Sequence, residues 1–339
     1  MTAPRLTICI PVYNFGAFLG ATLDSILPQL GEAVEVLVLD GGSTDDTAAV
    51  MARAMEGCPG LRYDRRPVRG GIDRDMALAV AQARGDYCWI FSGDDLMRPG
   101  AVARVLGELG SGCDVYLLES MRCDFELRPL ALHRLARLDA PRTFRLHDPA
   151  ERREYFALAL NTAAFFSFCS ALVFRRARWD EAPPDESFYG SCWAHAARLF
   201  SLLPGGLTVR YLPGAILDKR GDNDSFNTQG LTHRYGIAVD GYHRIGDTFF
   251  GHDSLEAFHL RRAVRAEQPW AGWLAAKAEL VATGRLEHWP LFDRLVRAQY
   301  GDAGLACWAA RTSLRLAPAR VLVWLRRGVH AWRGRRAPR

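Results

Sequence analysis

Lysine is nearly missing from this 339-residue chain: Lys219 and Lys277 are the only two among 43 basic residues. Arginine therefore supplies almost all positive charge, and an Arg cluster alone says little about a ligand. The eight cysteines (Cys9, Cys58, Cys88, Cys113, Cys123, Cys169, Cys192, Cys307) form no C-x-x-C pair and show no Cys/His spacing. This excludes a zinc module and reads as reduced thiols used as small apolar side chains. The start, MTAPRLTICIPVYN, has no charged stretch followed by a long apolar one, so no signal peptide is expected. Neither an internal repeat nor a low-complexity linker appears. Long apolar runs are scarce too. Tyr155–Phe174 is 20 residues without a charge, but Asn161, Thr162, Ser167 and Ser170 interrupt it. It reads as a buried helix end followed by the strand FSFCSALVF, not as a membrane span.

Apolar residues at 49% and charged residues at 24% exclude disorder and leave room for one large domain or two modest ones. Charge is uneven. Residues 311–339 hold nine Arg and no acid, leaving 34 basic against 38 acidic residues in the body. A mildly acidic body argues against nucleic acid as a partner, and the basic end suits an anionic surface.

Along the first hundred residues, strand and helix patterns alternate. The apolar strand from Leu6 to Ile10 ends at Pro11, and a helical pattern follows with Phe18, Leu19, Leu23, Ile26 and Leu27. Next come the strand VEVLVLD, a helix over Thr47–Met55, the strand LRYDRR, a Gly70-Gly71 break, a helix from Asp73 to Arg84 and the strand DYCWIFSGDD. Near-continuous apolar strands alternating with helices predict an open, mostly parallel, doubly wound α/β sheet. Ligands of such sheets bind beyond the carboxyl ends of the strands, where Tyr13, Asn14, Asp40 to Thr44, Arg69 to Asp73 and Ser92 to Asp95 fall. After Pro99 the pattern becomes less regular, and beyond Tyr235 it is mainly helical. The expected divisions are 1–115, 116–235 and 236–339.

Asp94 and Asp95 carry the most chemistry. Adjacent carboxylates at a strand tip repel unless a cation joins them. Mg²⁺ or Mn²⁺ suits such ligands and takes further oxygens from a substrate diphosphate, neutralising charge on a leaving phosphate. That reading makes Asp95 the metal ligand and Asp94 the contact to donor ribose or sugar. A solvated turn capping the next helix is the plainer alternative.

LTICIPVYN, VEVLVLDGGSTDDT, a helix ending A-x-G-D-Y and a strand ending S-G-D-D together resemble the family 2 glycosyltransferases of the GT-A fold, over about the first 105 residues. The resemblance implies a GT-A-type sheet with a mainly helical C-terminal region. It also implies a nucleotide-diphospho-sugar site lined by Pro11, Tyr13, Asn14, Asp40 and Gly42, with Asp94 and Asp95 at sugar and metal. More narrowly, RGGIDRDMALAVAQARGDYCWIFSGDD, GSCWAHAARLFSLL and KRGDNDSF look like the branch around O-antigen abequosyltransferases. That branch moves a dideoxyhexose from a cytidine-diphosphate donor in bacterial surface polysaccharide assembly. The acceptor it implies is a saccharide, lipid-linked, met at the inner face of the cytoplasmic membrane.

Two positions depart from the family pattern. Where it often reads D-D-G-S at the second tip, this chain has Gly41, which removes a carboxylate that can contact the base and weakens the case for uridine. Where inverting members place an acid as general base, this chain has Gly190-Ser191. His195, one helical turn on, has the ordinary pKa for that work, or it packs on its helix. Glu186 and Asp185 are the alternative bases. Inversion and retention both stay open, since a retaining transfer needs no strong protein base.

Around these stand softer candidates. Asp73 grips donor-sugar hydroxyls or caps a helix; Arg74 or Arg69 faces the diphosphate or pairs at the surface. The loop DKRGDNDSFN closes over donor with Arg220 on phosphate and Asn223 or Ser225 adding hydrogen bonds, or is an ordinary loop. From Pro318, Val321, Leu322, Leu325, Val329 and Trp332 share one helical face among arginines, a pattern suited to peripheral membrane contact through residues 318–339. The competing functions are a nucleotidyltransferase, whose Gly-rich basic triphosphate loop is missing, and a nucleotide-sugar-binding protein without catalysis.

Overall fold

The structure is a computed structural model that describes residues 3–58, 60–224, 226–301 and 304–318. Two compact units divide the chain, residues 1–223 and 224–339.

In the first unit the alternation continues as expected through β1 (Leu6–Val12), α1 (Gly16–Ile26), β2 (Val34–Asp40), α2 (Thr47–Met55), β3 (Leu61–Arg65), α3 (Ile72–Gln82) and β4 (Tyr87–Ile90). Every residue of β1, β2 and β4 is buried, the signature of strands covered on both faces. Pro11 lies inside β1, opposite Leu39, and does not end it. These four strands are parallel in the order β3-β2-β1-β4. The chain thus reverses its direction across the sheet between β1 and β4, a switch point at which loops part and leave a crevice.

The remaining elements are β5 (Leu96–Met97), α4 (Ala101–Glu108), β6 (Val115–Cys123), β7 (Pro129–His133), β8 (Arg142–Arg145), α5 (Pro149–Leu158), β9 (Leu172–Arg175), α6 (Arg176–Glu181), α7 (Ala194–Ser201) and β10 (Thr208–Lys219). Here the sheet turns mixed. β9 runs antiparallel between β4 and β6, β10 is parallel to β6, and β5, β7 and β8 pair antiparallel. The expectation of a mostly parallel sheet therefore holds only for its first half. One sheet crosses the expected division at 115, which falls on the first residue of β6.

Tyr155–Phe174 folds as the end of α5, two tight turns and the start of β9. Its polar residues have local work: Asn161 Oδ1 accepts from Ala163 N at 3.1 Å, and its Nδ2 donates to Arg134 O at 2.7 Å. No helix among the described residues is long and apolar enough to cross a membrane.

The second unit holds α8 (Leu231–Phe249), α9 (Leu255–Glu267), α10 (Trp270–Thr283), α11 (Trp289–Gln299) and α12 (Leu305–Leu316). Tyr242, Ile245, Leu260, Val264, Trp273, Phe292 and Leu295 form its buried apolar side. The division falls at 224, ahead of the expected 236, with α8 opening at Leu231. Lys277 is buried and donates to the carbonyls of Leu314, Arg315 and Ala317, capping the end of α12.

Gly85, in the corner that aims β4, fits against main chain: a Cβ there would stand 2.6 Å from Thr7 N and 2.8 Å from Leu6 C. Gly85→Ala is expected to cost about 1–3 kcal/mol by overpacking. In thermal unfolding the midpoint should fall by several degrees; an unchanged midpoint would contradict this corner.

Candidate active site

The first two tips are tied to each other. Asn14 takes a left-handed φ of 58°, a conformation that Asn tolerates, and donates its N–H to Ser43 Oγ at 2.8 Å. Its Oδ1 accepts from Thr44 N at 2.8 Å. Asp40 is fully buried at the end of β2, accepting from Ser43 N at 2.7 Å and Tyr63 OH at 2.6 Å. Burial and the Asp40 charge raise the Tyr63 hydroxyl well above its ordinary value, so it stays a donor. These expected donor-site residues thus shape the tip through protein contacts. What the tip presents is half-buried Tyr13, with the Arg69 guanidinium 4.2 Å above its ring, and the bare main chain of Gly42 at φ 85°.

The acidic pair follows β4. Asp95 is 2% exposed, with Oδ2 accepting from Ser170 Oγ at 2.6 Å and Oδ1 from Arg220 N at 2.9 Å. Burial first, and the charge of Asp94 second, push its carboxyl up to about 7. Asp94 Oδ2 accepts from Asn223 Nδ2 at 2.7 Å, and its Oδ1 accepts from the Ser92 hydroxyl. Asp95 is thus bound to Ser170 and the Arg220 main chain, and Asp94 is held by two small neutral donors. Gly93 between Ser92 and Asp94 is required, since a Cβ there would come within 2.7 Å of Val12 Cγ1.

Arg220 does not reach out as an isolated cation. Its Nε donates to Asp94 O at 3.0 Å and one terminal nitrogen to Phe125 O at 2.5 Å, while its guanidinium lies 5.1 Å above the Phe18 ring. It fastens the loop after β10 to the acidic tip. Ser225 lies outside the described residues.

Asp73 also departs from its expected role. Its Oδ2 accepts from Gly190 N at 2.8 Å and Cys192 N at 3.0 Å, and its Oδ1 from Ala194 N at 3.2 Å. It caps the start of α7, not of its own helix, and shapes the loop that carries Gly190, whose φ is 86°. Arg74 is exposed, 5.3 Å from the Tyr189 ring. Glu186 and Asp185 lie on the exposed turn of the same loop, where Asp185 Oδ1 accepts from Ser187 N at 2.9 Å.

His195 is 3% exposed on the inner face of α7, its Nε2 2.8 Å from Phe166 O. Burial lowers its pKa, against the pull of Asp73. The ring thus packs against the Phe166 carbonyl, and burial disfavours the charged form there.

Sequence reasoning missed Ser170, Lys219, Phe168, Ser120 and His133, while Asn223, expected to add a hydrogen bond over the donor, donates to Asp94 Oδ2. Lys219 Nζ stands 4.3 Å from the Phe168 ring, and His133 Nδ1 lies 3.3 Å from Ser120 Oγ. Burial, with Lys219 and Arg122 nearby, lowers His133 to about 3, too low for a base near neutrality. All of these depend on pairings far apart in sequence, which no local motif announces.

A mixed α/β sheet with an acidic tip at its switch point defines a GT-A-type fold. Residues 7–180 match the family model described as glycosyl transferase family 2, and the chain belongs to that family. Abequosyltransferase RfbV of Salmonella typhimurium is 30% identical over 274 residues, covering 78% of this chain and 81% of that one. Among solved structures, S. aureus TarS (residues 1–349) superposes with a TM-score of 0.59 at 15% identity, covering 94% of this chain and 88% of that one. The mannosyltransferase PcManGT from Pyrobaculum calidifontis does so with 0.52 at 16%, covering 95% and 84%. These two likenesses concern the fold.

Asp73→Ala should leave three loop N–H groups without their acceptor. Hydrogen exchange at residues 190–194 is expected to rise by roughly tenfold or more, for a loss of about 1–3 kcal/mol. Unaltered protection of that loop would restore Asp73 as a candidate for sugar contact.

Proposed function

We propose that this glycosyltransferase moves a sugar from a nucleotide-diphospho-sugar to a saccharide hydroxyl in the assembly of bacterial surface polysaccharide, the O-antigen class. The observation that carries the reading is the acidic tip: Asp95 locked inward by Ser170 and Arg220, Asp94 poised beside it at the switch point. The likeness to an abequosyltransferase supports a dideoxyhexose as the sugar, and the sequence resemblance favours its cytidine-diphosphate donor. The TarS and PcManGT structures, which hold UDP-GlcNAc in one case and GDP-Man with Mn²⁺ in the other, support the general donor chemistry.

The donor set fits Mn²⁺ or Mg²⁺. Burial and the charge of Asp94 raise Asp95 to about 7 against the pull of Lys219, and two such neighbouring carboxylates suit a divalent cation. Among the described residues no three His, Cys, Asp or Glu side chains gather as a metal site, so oxygens of the donor diphosphate would complete the shell. A bound cation would supply charge neutralisation on the departing nucleoside diphosphate. In this arrangement Asp94 is the residue that would hold it, while Asn223 and Ser92 fix the carboxylate's orientation and Asp95 fixes the turn. Tyr13 and Arg69 flank the base side. Glu186, on the exposed turn, is the remaining candidate to take the acceptor's proton.

The acceptor is read as lipid-linked, reached from the inner face of the cytoplasmic membrane. Leu305 (86% exposed), Trp308 (57%) and Leu316 (74%) with Arg311 and Arg315 on α12 support this. Residues 319–339, which carry the expected membrane face, lie outside the described residues. Deleting residues 318–339 should weaken sedimentation with anionic vesicles at low salt; undiminished sedimentation would remove the membrane reading.

Asp94→Ala is expected to lower Mn²⁺-dependent donor turnover by about 100-fold or more, with the thermal midpoint little changed. Measured across CDP-, UDP- and GDP-sugars, full activity of this variant would refute the site. Tight nucleotide binding without turnover by the unaltered protein would favour a binding protein.

A further inference from the structure

Asp75 stands on the first turn of α3, 5% exposed. Among the described residues no hydrogen bond or ion pair reaches its carboxylate. A buried acid without partners is costly, and burial raises this one's pKa, with Arg69 and Arg66 pulling the other way. Such a group calls for a ligand.

Its surroundings show where that ligand lies. A Cβ added to Gly41 would stand 2.5 Å from Asp75 Oδ2, and one added to Gly70 would stand 2.5 Å from Oδ1. Both positions must be glycine for the carboxylate to occupy this corner. Gly41 N donates to Val12 O at 2.8 Å, so the corner belongs to the adjoining ends of β1 and β2. α3 thus delivers a carboxylate into the space that a side chain at position 41 would fill. Next to it, Gly42 backs onto the loop that carries Arg69, since its Cβ would lie 3.5 Å from Arg69 N. Arg69 in turn lies over Tyr13, its guanidinium 4.2 Å from the ring centre, and its charge acts on the Asp75 carboxylate.

A carboxylate accepts hydrogen bonds and repels phosphate; the charges of Arg69 and Arg66 already act on this one, which leaves a neutral donor as the partner it calls for. Beside an aromatic ring with a guanidinium above it, the fitting donor is the N–H edge of a nucleobase. Resting on the nucleotide-sugar reading above, we propose that Asp75 reads the base of the donor, accepting from a ring or exocyclic N–H, and that Gly41 and Gly70 exist to admit it. The acid missing from the second strand tip is thereby supplied from α3.

The test is calorimetric binding of CDP, UDP, GDP and ribose 5-phosphate in saturating Mn²⁺ to the unaltered chain, Asp75→Asn and Gly41→Ala. Asp75→Asn is expected to weaken the preferred nucleotide by roughly 10- to 100-fold and to flatten the preference among bases. Ribose 5-phosphate, which has no base, should bind unchanged. Gly41→Ala keeps the acid but crowds it, and should flatten the preference too, which covers the case in which Asp75→Asn does not fold. Equal weakening of all four ligands, or a preference that survives in both variants, would overturn the assignment while leaving the nucleotide-sugar reading intact. An unaltered protein that binds none of the nucleotides would overturn both.

Discussion

Asp95 is held from two sides, by the Ser170 hydroxyl ahead of β9 and by the main-chain N–H of Arg220 after β10, and the other parts of the site take their places from that clamp. The two donors come from 75 and 125 residues away, so the acidic turn can form only when the antiparallel half of the sheet has closed on the parallel half. A buried carboxylate tolerates its position only if its lone pairs are met. Here they are met by neutral groups, and among the charges acting on Asp95, that of Asp94 outweighs that of Lys219, a balance that suits a cation.

The same economy runs through the neighbouring loops. Asn14 ties the first tip to the second, Asp40 braces the second against Tyr63, and Asp73 gathers the N–H groups that open α7. Polar side chains that look free to meet substrate in a linear reading are largely the ones that hold the loops in place. Those without such a tie are fewer: Tyr13 with Arg69 above its ring, and the buried carboxylate of Asp75.

The parallel half was legible because strands covered on both faces read as unbroken apolar runs, and because each ends in a polar tip. VEVLVLD needed no context to be read as β2. The antiparallel half was not, since β9 is four residues long and its pairing with β4 and β6 is decided by tertiary contact alone. The acidic pair was legible, but its orientation was not: nothing in SGDD says which acid turns inward until Ser170 and Arg220 are in place. His195 misled because a histidine on the inner face of an amphipathic helix has the same local sequence as a catalytic one. Asp75 went unseen because its signal, glycine at both 41 and 70, spans three elements.

We propose that Asp94 is the carboxylate of the acidic pair that meets a cation, which is held well only when a diphosphate completes its shell. Mn²⁺ titration followed by electron paramagnetic resonance, with and without CDP, tests it directly. Uptake should be weak for the protein alone and tight once CDP is added, and it should be lost in Asp94→Ala. Tight Mn²⁺ uptake without nucleotide, or uptake with CDP that survives loss of Asp94, would contradict it.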